Sequence, residues 1–367
     1  MQNFNIIRKT ELSDSYRVRA TIDRFTMEDA KFSENFKGSI NLDMKWNIGC
    51  IVGASGTGKT TIGKEVFGDN FITNFEYKEK CVLDDMPKNI DLNDIYKAFT
   101  SVGFASPPDW VKPYYVLSNG QKMRVDLARC LLEDMELVAF DEFTSVVNRE
   151  VAKVGSLAIQ KAVRRNNKKF IAIGVHRDIL DWLQPDWVFD TDTMEFYSKD
   201  LLWKRPDIEL QVFESPKDKK QFFWKPLSKY HYLDSSLHNG TRQFIGVVDG
   251  EVVAHTSYIN FPMKKRWKRE HRLVVHPDWQ GIGIGTKFQK AVADIVYNEG
   301  NTVICTTTTP ALVKAMQKDK DWVLYRKGRS KSTYDKSMAE KHLGNKKSDD
   351  RITYSFCYKG RKIKKVK

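Results

Sequence analysis

Cysteine and long apolar runs are both scarce in this sequence, and each shortage excludes a class of protein. Five cysteines (Cys50, Cys81, Cys130, Cys305, Cys357) are scattered through 367 residues, and no two have C-x-x-C spacing. An odd, dispersed set is neither a disulfide framework nor a cysteine zinc site, so reduced thiols are expected. No uninterrupted apolar stretch approaches the ~18 residues that span a bilayer. Residues 1–14 lack an apolar core of signal-peptide length. The expectation is a cytoplasmic protein without a membrane partner. Repeats and low-complexity tracts are absent as well. Acidic residues are thin in the second half: residues 201–367 hold 34 Lys+Arg against 17 Asp+Glu, whereas residues 1–200 hold 27 against 30. The whole net charge of +14 therefore comes from the second half. Such asymmetry points to a polyanion partner for one domain, with a solvated basic surface as the plainer alternative.

The rest of the composition is that of a globular protein, with 41% hydrophobic and 29% charged residues. The length suggests two domains. Residues 47–52, 136–140 and 170–175 read as short buried strands, and residues 150–166 as a helix with apolar positions at Val151, Val154, Leu157, Ala158 and Ala162. Strands alternating with helices imply a mostly parallel sheet. After Tyr197 the pattern loosens. Strands at 243–248 and 251–259 then flank Asp249-Gly250, a hairpin turn. The boundary is placed near residue 200, giving domains 1–200 and 201–367.

Gly53-Ala54-Ser55-Gly56-Thr57-Gly58-Lys59-Thr60 fits G-x-x-x-x-G-K-[ST] and follows a predicted strand. Backbone N–H groups and a helix start there can cradle phosphates; Lys59 reaches the β/γ-phosphates, Thr60 offers its hydroxyl to Mg²⁺, and Thr61 follows in the first turn. The strand Leu137-Val138-Ala139-Phe140 ends in Asp141, a Mg²⁺ holder, and Glu142, which can orient or deprotonate an attacking water. Leu117-Ser118-Asn119-Gly120-Gln121 precedes a helix over 122–132, and His176 follows a buried strand.

These elements, in this order, resemble the ABC-type ATPases over about residues 15–200. The resemblance makes Ser118, Gly120 and Gln121 the nucleotide-contacting signature, with Asn119 where a second glycine is usual. It makes His176 the switch histidine and residues 145–148 the dimer-contact loop. It also implies ATP sandwiched between the phosphate loop of one copy and the signature of another, hence an ATP-dependent homodimer. Residues 60–117 are shorter than in transporter ATPases and contain no glutamine, which leaves Asp84 or Asp85 for the position of the family's Q-loop residue. That reduction argues for a soluble member rather than a transporter subunit.

In the second half, a strand at 272–277 leads into Gln280-Gly281-Ile282-Gly283-Ile284-Gly285-Thr286 and a helix to about Asn298. The following strand, 302–306, carries no acid for a dinucleotide ribose, which disfavours a Rossmann loop. Q-x-x-G-x-G after a strand resembles the acyl-CoA pyrophosphate loop of GNAT acyltransferases, over about residues 207–327. The expected fold is α/β: a P-loop ABC ATPase domain followed by a mixed-sheet GNAT-fold domain with a basic C-terminal tail. The resemblance implies acetyl-CoA or another acyl-CoA on this loop, and backbone amides near Val274 and Val275 polarising the thioester carbonyl. The helix at 310–318 lacks the tyrosine that often protonates the departing thiolate. Gln317 stands there, with Tyr325 or Tyr334 as replacements.

Tyr230-His231-Tyr232 lies in the early, substrate-facing part of such a fold. It reads either as helix packing or as a pocket, with His231 as general base and the tyrosines stacking on a planar base. The His-Tyr pair also resembles phage Mom DNA-modification proteins, which are GNAT relatives. Trp267 sits inside Lys264-Lys265-Arg266-Trp267-Lys268-Arg269, where it offers stacking beside phosphate contacts. Further basic runs occur at 326–331 and 361–367. The expected function is an ATP-driven acyltransferase acting on nucleic acid, with a nucleobase among the candidate targets. Two alternatives stay open: acetylation of a protein or small amine, and an ATP-switched nucleic-acid clamp whose GNAT domain only binds.

Overall fold

The computed structural model describes residues 1–10, 12–25, 32–198, 203, 206–231, 236–238, 240–262, 264–329 and 352–360. Tyr232, Tyr334 and the tail 361–367 lie outside them. The chain begins with β1 (Gln2–Thr10), α1 (Tyr16–Phe25), β2 (Phe32–Ile40), β3 (Ile48–Val52), α2 (Lys59–Phe67) and β4 (Phe71–Ile72). It continues with α3 (Leu92–Ser101), α4 (Pro107–Trp110), α5 (Asn119–Leu132), β5 (Leu137–Phe140), α6 (Arg149–Asn166), β6 (Lys169–Gly174), α7 (Leu180–Leu183), β7 (Trp187–Asp190) and β8 (Glu195–Ser198). Then come β9 (Gln211–Glu214), α8 (Lys220–Ser228), β10 (Arg242–Val248), β11 (Glu251–Asn260) and β12 (Trp267–Val275). The last elements are α9 (Ile284–Asn298), β13 (Thr302–Thr307), α10 (Pro310–Lys318), β14 (Trp322–Arg329) and β15 (Ile352–Tyr358).

Two compact units form: one from Met1–Tyr77 with Arg129–Pro206, the other from Lys78–Ala128 with Asp207–Lys367. The segment 78–128, which the sequence places with the first half, thus packs with the second. In the first unit the sheet order is β4-β5-β6-β3-β7-β8, parallel except for β8. The antiparallel pair β1–β2 adds Phe4, Phe36 and Ile40 to a core with Ile51, Ile62, Phe67, Ile171, Ile173, Trp187 and Phe189. Gly49 in β3 leaves room for the buried Trp187 ring, since a Cβ there would lie 2.1 Å from its Cζ2. Helix α6 starts at Asn148, whose side chain accepts the Val151 N–H at 2.8 Å, and ends at Asn167 in the left-handed region.

The second unit is built on a sheet of order β14-β15-β13-β12-β11-β10-β9. All neighbours are antiparallel except β12 and β13. That parallel pair is matched only at Trp267↔Thr302, Lys268↔Val303 and Arg269↔Ile304. Beyond Arg269 the two strands part. Against β11, Ser257 faces His271 and His255 faces Val274, so β12 carries one extra residue between them. Arg272 takes φ 73 in that bulge. The predicted hairpin is present, with Asp249 at φ 49 and Gly250 at φ 80. Helix α9 buries Phe288, Val292, Ala293 and Val296 on one face of the sheet. On the other face, α8 sets Trp224 and Leu227 against Val274. Within 78–128, Trp110 is held between Tyr96 and Phe99, and its indole N–H donates to Phe104 O at 2.8 Å. All five cysteines are free thiols. Among the described residues, no helix is long and apolar enough to cross a membrane.

Behind the bulge sits His255, 0% exposed. Its Nε2 lies 3.0 Å from Gln243 Oε1, and its ring is 4.9 Å from that of Trp224. Burial pushes its pKa down to about 4; the nearby His231 adds to this, and the Arg272 backbone opposes it. An unfolded chain takes up the imidazole proton near pH ~6.5. Stability from the buried neutral ring is therefore full above that value and is lost as pH falls toward the folded pKa, by about 3 kcal/mol in all. Urea unfolding between pH 4 and 7 should show this slope in the native protein and a flatter one in His255→Gln. The difference between the two isolates the imidazole, because Glu270, whose carboxyl burial pushes up, titrates in both.

Candidate functional site

The first candidate site opens at the end of β3. Gly56 and Gly58, both at φ 85, carry the loop into α2, with Gly58 as the residue before the helix. A Cβ on Gly58 would lie 2.5 Å from the Phe36 ring, while one on Gly56 would meet nothing within 4 Å. The loop therefore packs on one side and is open on the other, and Ser55 and Gly56 are exposed. Lys59 is 8% exposed and donates to Gly53 O at 3.0 Å and Ala54 O at 2.5 Å. Burial lowers its pKa, opposed by Glu142, Asp192 and Asp141. Its ammonium is thus folded back onto the loop's own carbonyls, in reach of any phosphate that enters.

Thr60 Oγ1 donates to Asp141 Oδ2 at 2.9 Å. A hydroxyl and a carboxylate oxygen side by side, 4% exposed at Asp141, suit a hard cation such as Mg²⁺. Glu142 is exposed and at φ 52, and its N–H donates to Asp141 Oδ1 at 3.0 Å. A non-glycine residue held there is strained. His176 stands half-buried after β6.

Several residues here escaped the sequence reading. Asp192 Oδ1 accepts the Ala54 N–H at 2.8 Å, and Arg177 binds both Asp190 and Asp192. That Ala54 bond, then Arg177, lowers the Asp192 pKa. Thr191 Oγ1 lies 2.6 Å from Thr57 Oγ1, and a Cβ on Gly53 would fall 2.0 Å from it. Nothing local in Asp190-Thr191-Asp192 signals this bracing. Asn148, expected at a dimer contact, uses its side chain to cap α6.

The signature residues form a reciprocal cap at the start of α5. Ser118 N–H donates to Gln121 Oε1 at 3.0 Å, and Gln121 N–H to Ser118 Oγ at 3.3 Å. Gln121 Nε2 also donates to Asp109 Oδ2 at 3.0 Å. Asp84 and Asp85, the Q-loop candidates, are engaged in their own turn: Asp85 accepts the N–H groups of Lys78 and Glu79, and Asp84 accepts from Cys81.

The second candidate site lies where β12 leaves β13. The bulge at Arg272 re-aims the chain just before Val274 and Val275. Gly283, at φ 97 and with Thr286 Oγ1 4.0 Å from where a Cβ would be, precedes α9, whose first residues are Ile284, Gly285 and Thr286. Gly285 lets the helix start approach Val275, because its Cβ would be 3.2 Å from Val275 Cγ2. Gln280 is turned to structure: Nε2 donates to Val275 O at 2.9 Å, and Oε1 accepts the Ala105 N–H at 3.2 Å. Ile282 is buried, and the Thr286 hydroxyl donates to Gly283 O at 2.9 Å. The anion cradle thus reduces to backbone at a helix start, which suits a pyrophosphate.

Around this loop, Tyr230 packs beside the Trp224–Leu227–Val274 cluster, edge-on to His276 at 5.0 Å. His231 lies 6.2 Å from the Trp224 ring. Helix α10 is as predicted and its Gln317 is exposed. Glu270, unmarked in the sequence, is half-buried just past the last β12–β13 pair and accepts from Thr256 Oγ1 at 3.0 Å and Gln289 Nε2 at 2.6 Å. At the tip of the β11–β12 hairpin, Lys264 Nζ lies 3.8 Å from the Trp267 ring centroid and 3.3 Å from Tyr325 Oη. One face of Trp267 thus carries a neighbouring ammonium, and Tyr325 is tied to the same group.

Comparisons with known proteins divide along the same lines. The model of the acetyltransferase (GNAT) family matches residues 209–317. The energy-coupling factor transporter ATP-binding protein of Mycoplasmopsis pulmonis is 33% identical over 104 residues, or 27% of this chain. The chain spans 38% of that relative's length. Among solved structures, an ATP-binding cassette in a dimeric post-hydrolysis state with ADP and Pi aligns at 11% identity and TM-score 0.40, over 54% of this chain and 97% of its own. The IAA acetyltransferase of Bacillus cereus aligns at 12% identity and TM-score 0.31, over 41% of this chain and 99% of its own. Residues 209–317 thus hold a GNAT-family acetyltransferase domain, and the N-terminal region resembles the ABC ATPases.

Proposed function

We propose that the protein is an ABC-type ATPase coupled to a GNAT acyltransferase that acts on nucleic acid. The observation that carries the acyltransferase half is the parting of β12 from β13 beside a bulge, with a glycine-opened helix at its end. Parted parallel strands leave the β12 edge at Val274 and Val275 without a β13 partner; His276 N–H bonds Val253 O on β11, so by alternation the Val275 N–H faces the gap, where it can polarise a thioester carbonyl. The amine attacks that carbon, the C–S bond breaks, and the amine's proton passes to a base. His231 is one candidate base. Glu270 is a second, since burial raises its carboxyl pKa. For the ATPase half, Gly53–Thr61 cradle the phosphates and Lys59 moves from its carbonyls to the β/γ-phosphates. Thr60 and Asp141 would hold Mg²⁺, which would supply charge neutralisation. Glu142 aligns the water that attacks the γ-phosphorus, and His176, after β6, takes the role of switch histidine. ATP would close a homodimer on Ser118, Gly120 and Gln121 of the partner copy, and hydrolysis would reopen it.

The polyanion assignment rests on the charge of 201–367 and on the exposed hairpin Lys264, Lys265 and Arg266. Trp267 contributes by holding Lys264 in place. Acetylation of a protein or small amine is the second reading, favoured by that covered ring, which offers less stacking surface than a free tryptophan.

Lys59→Ala should abolish ATP binding, and Glu142→Gln should bind ATP without turnover and accumulate a dimer. A Glu142→Gln protein that stays monomeric in sedimentation at saturating ATP and Mg²⁺ would rule out the sandwich. Acetyl-CoA should bind the full chain in calorimetry, and Gly283→Asp should block it by bulk and like charge; no heat from the native protein removes the acyltransferase reading. Nucleic-acid affinity should fall with salt at a log–log slope near −0.9 per phosphate contact on duplex and about −0.7 on single strands. Glutamine at Lys264, Lys265, Arg266, Lys268 and Arg269 should flatten it. Finding no binding at low salt shifts the substrate to an amine.

A further inference from the structure

A buried arginine links the signature segment to the acyl-donor loop inside the second unit. Arg124 lies on α5, six residues after Ser118, and is 1% exposed. Its guanidinium donates to Val102 O at 2.8 Å, Asp278 O at 2.9 Å and Gln280 O at 3.4 Å. Burial brings its pKa down to about 10, with Asp278 opposing, so the group stays charged at neutral pH. The planar fork serves three carbonyls from two chain segments, which a lysine ammonium on a flexible stem cannot reproduce. The contact it bridges is backbone on backbone. A Cβ on Gly281 would sit 2.8 Å from Gly103 N, and one on Gly103 would sit 2.5 Å from Gln280 O and 2.2 Å from Arg124 Nη1. Both glycines have positive φ, 87 at Gly103 and 85 at Gly281.

This arrangement orients the loop. In a planar trans peptide the carbonyl and the next N–H point in opposite directions. Drawing the Gln280 carbonyl toward Arg124 therefore turns the Gly281 N–H away from it. Gln280 is fixed a second time through its side chain, on Val275 O and the Ala105 N–H. The loop from Pro277 to Gly283 is thus held by the 102–105 turn and by α5. At the other end of the same stretch of helix, the Ser118–Gln121 cap occupies the groups that a nucleotide would engage. Gln121 and Arg124 are neighbours at i, i+3 on one helix face. A phosphate on Ser118 competes with Gln121 for its bonds, and any shift of the helix start is carried to the fork.

We infer that Arg124 is a positioning residue that sets the acyl-donor loop and makes acyl-CoA affinity depend on nucleotide at the signature. The inference rests on the ABC–GNAT reading. Linkage is reciprocal, so ATP and acetyl-CoA must change each other's affinity by one common factor.

The test is calorimetry on the full chain carrying Glu142→Gln, which holds ATP. The acetyl-CoA Kd should change by about 5-fold or more between nucleotide-free and ATP-saturated protein, and the ATP Kd by the same factor with acetyl-CoA. Adding Arg124→Lys should remove this linkage while the ATP Kd without acetyl-CoA stays as before, a result that simple loss of packing would not give. An acetyl-CoA Kd indifferent to ATP overturns the inference without any change at Arg124, so a variant that fails to fold does not decide the matter. Undiminished linkage in Arg124→Lys also overturns it. No acetyl-CoA binding at all by the native protein instead overturns the acyltransferase reading, and the inference with it.

Discussion

Both candidate sites depend on a chain entering a helix through a left-handed residue. Gly58 at φ 85 precedes α2, and Gly283 at φ 97 precedes α9. Any L side chain there pushes Cβ toward its own carbonyl, and at Gly58 it would also strike Phe36. The reward is a first helical turn whose N–H groups face outward at the positive end of the peptide dipoles. Recognition by backbone makes few demands on side chains. That is why Gln280, Thr286 and Ser118 can be committed to internal hydrogen bonds without removing the cradles beside them.

Among the described residues two cations, Lys59 and Arg124, are buried, and neither is held in a direct ion pair. Lys59 and Arg124 both rest on backbone carbonyls. Carbonyl oxygens satisfy the donors of a buried cation but leave its charge uncancelled. For Lys59, with Glu142, Asp192 and Asp141 nearby but none in direct contact, the ammonium is placed to meet a phosphate, and Asp192 and Arg177 fix the loop's far side. For Arg124 the charge is sealed, and its use is geometric: one rigid fork gathers three peptides.

The legible parts of this protein were the local ones. A strand running into G-x-x-x-x-G-K-T, the Asp141-Glu142 strand end, α6 with its apolar face and the Asp249-Gly250 turn all follow from neighbours in sequence. What stayed hidden was long-range. The register slip at Arg272 depends on pairing with β11, and the parting of β12 from β13 depends on where two strands cease to match. Strand β12 begins at Trp267, inside a basic run that reads as surface decoration until Lys268 and Arg269 are seen paired with Val303 and Ile304. Trp267 looked like a stacking platform because no spacing rule predicts that Lys264, three positions back across a tight tip, will cover it. Segment 78–128 is helical and amphipathic enough to belong to either unit. Its partner is decided by Gly103 meeting Gly281, a fit between two absences of side chain.

That fit imposes an order on synthesis. Arg124 emerges from the ribosome 154 residues before Asp278, whose carbonyl it binds. At ordinary elongation rates the guanidinium and Gly103 wait roughly ten to thirty seconds for their partners. Until residues 278–281 are made, segment 78–128 lacks the backbone against which Gly103 packs. A chain halted between the two halves has its signature segment but not the Asp278 and Gln280 carbonyls on which Arg124 is fixed.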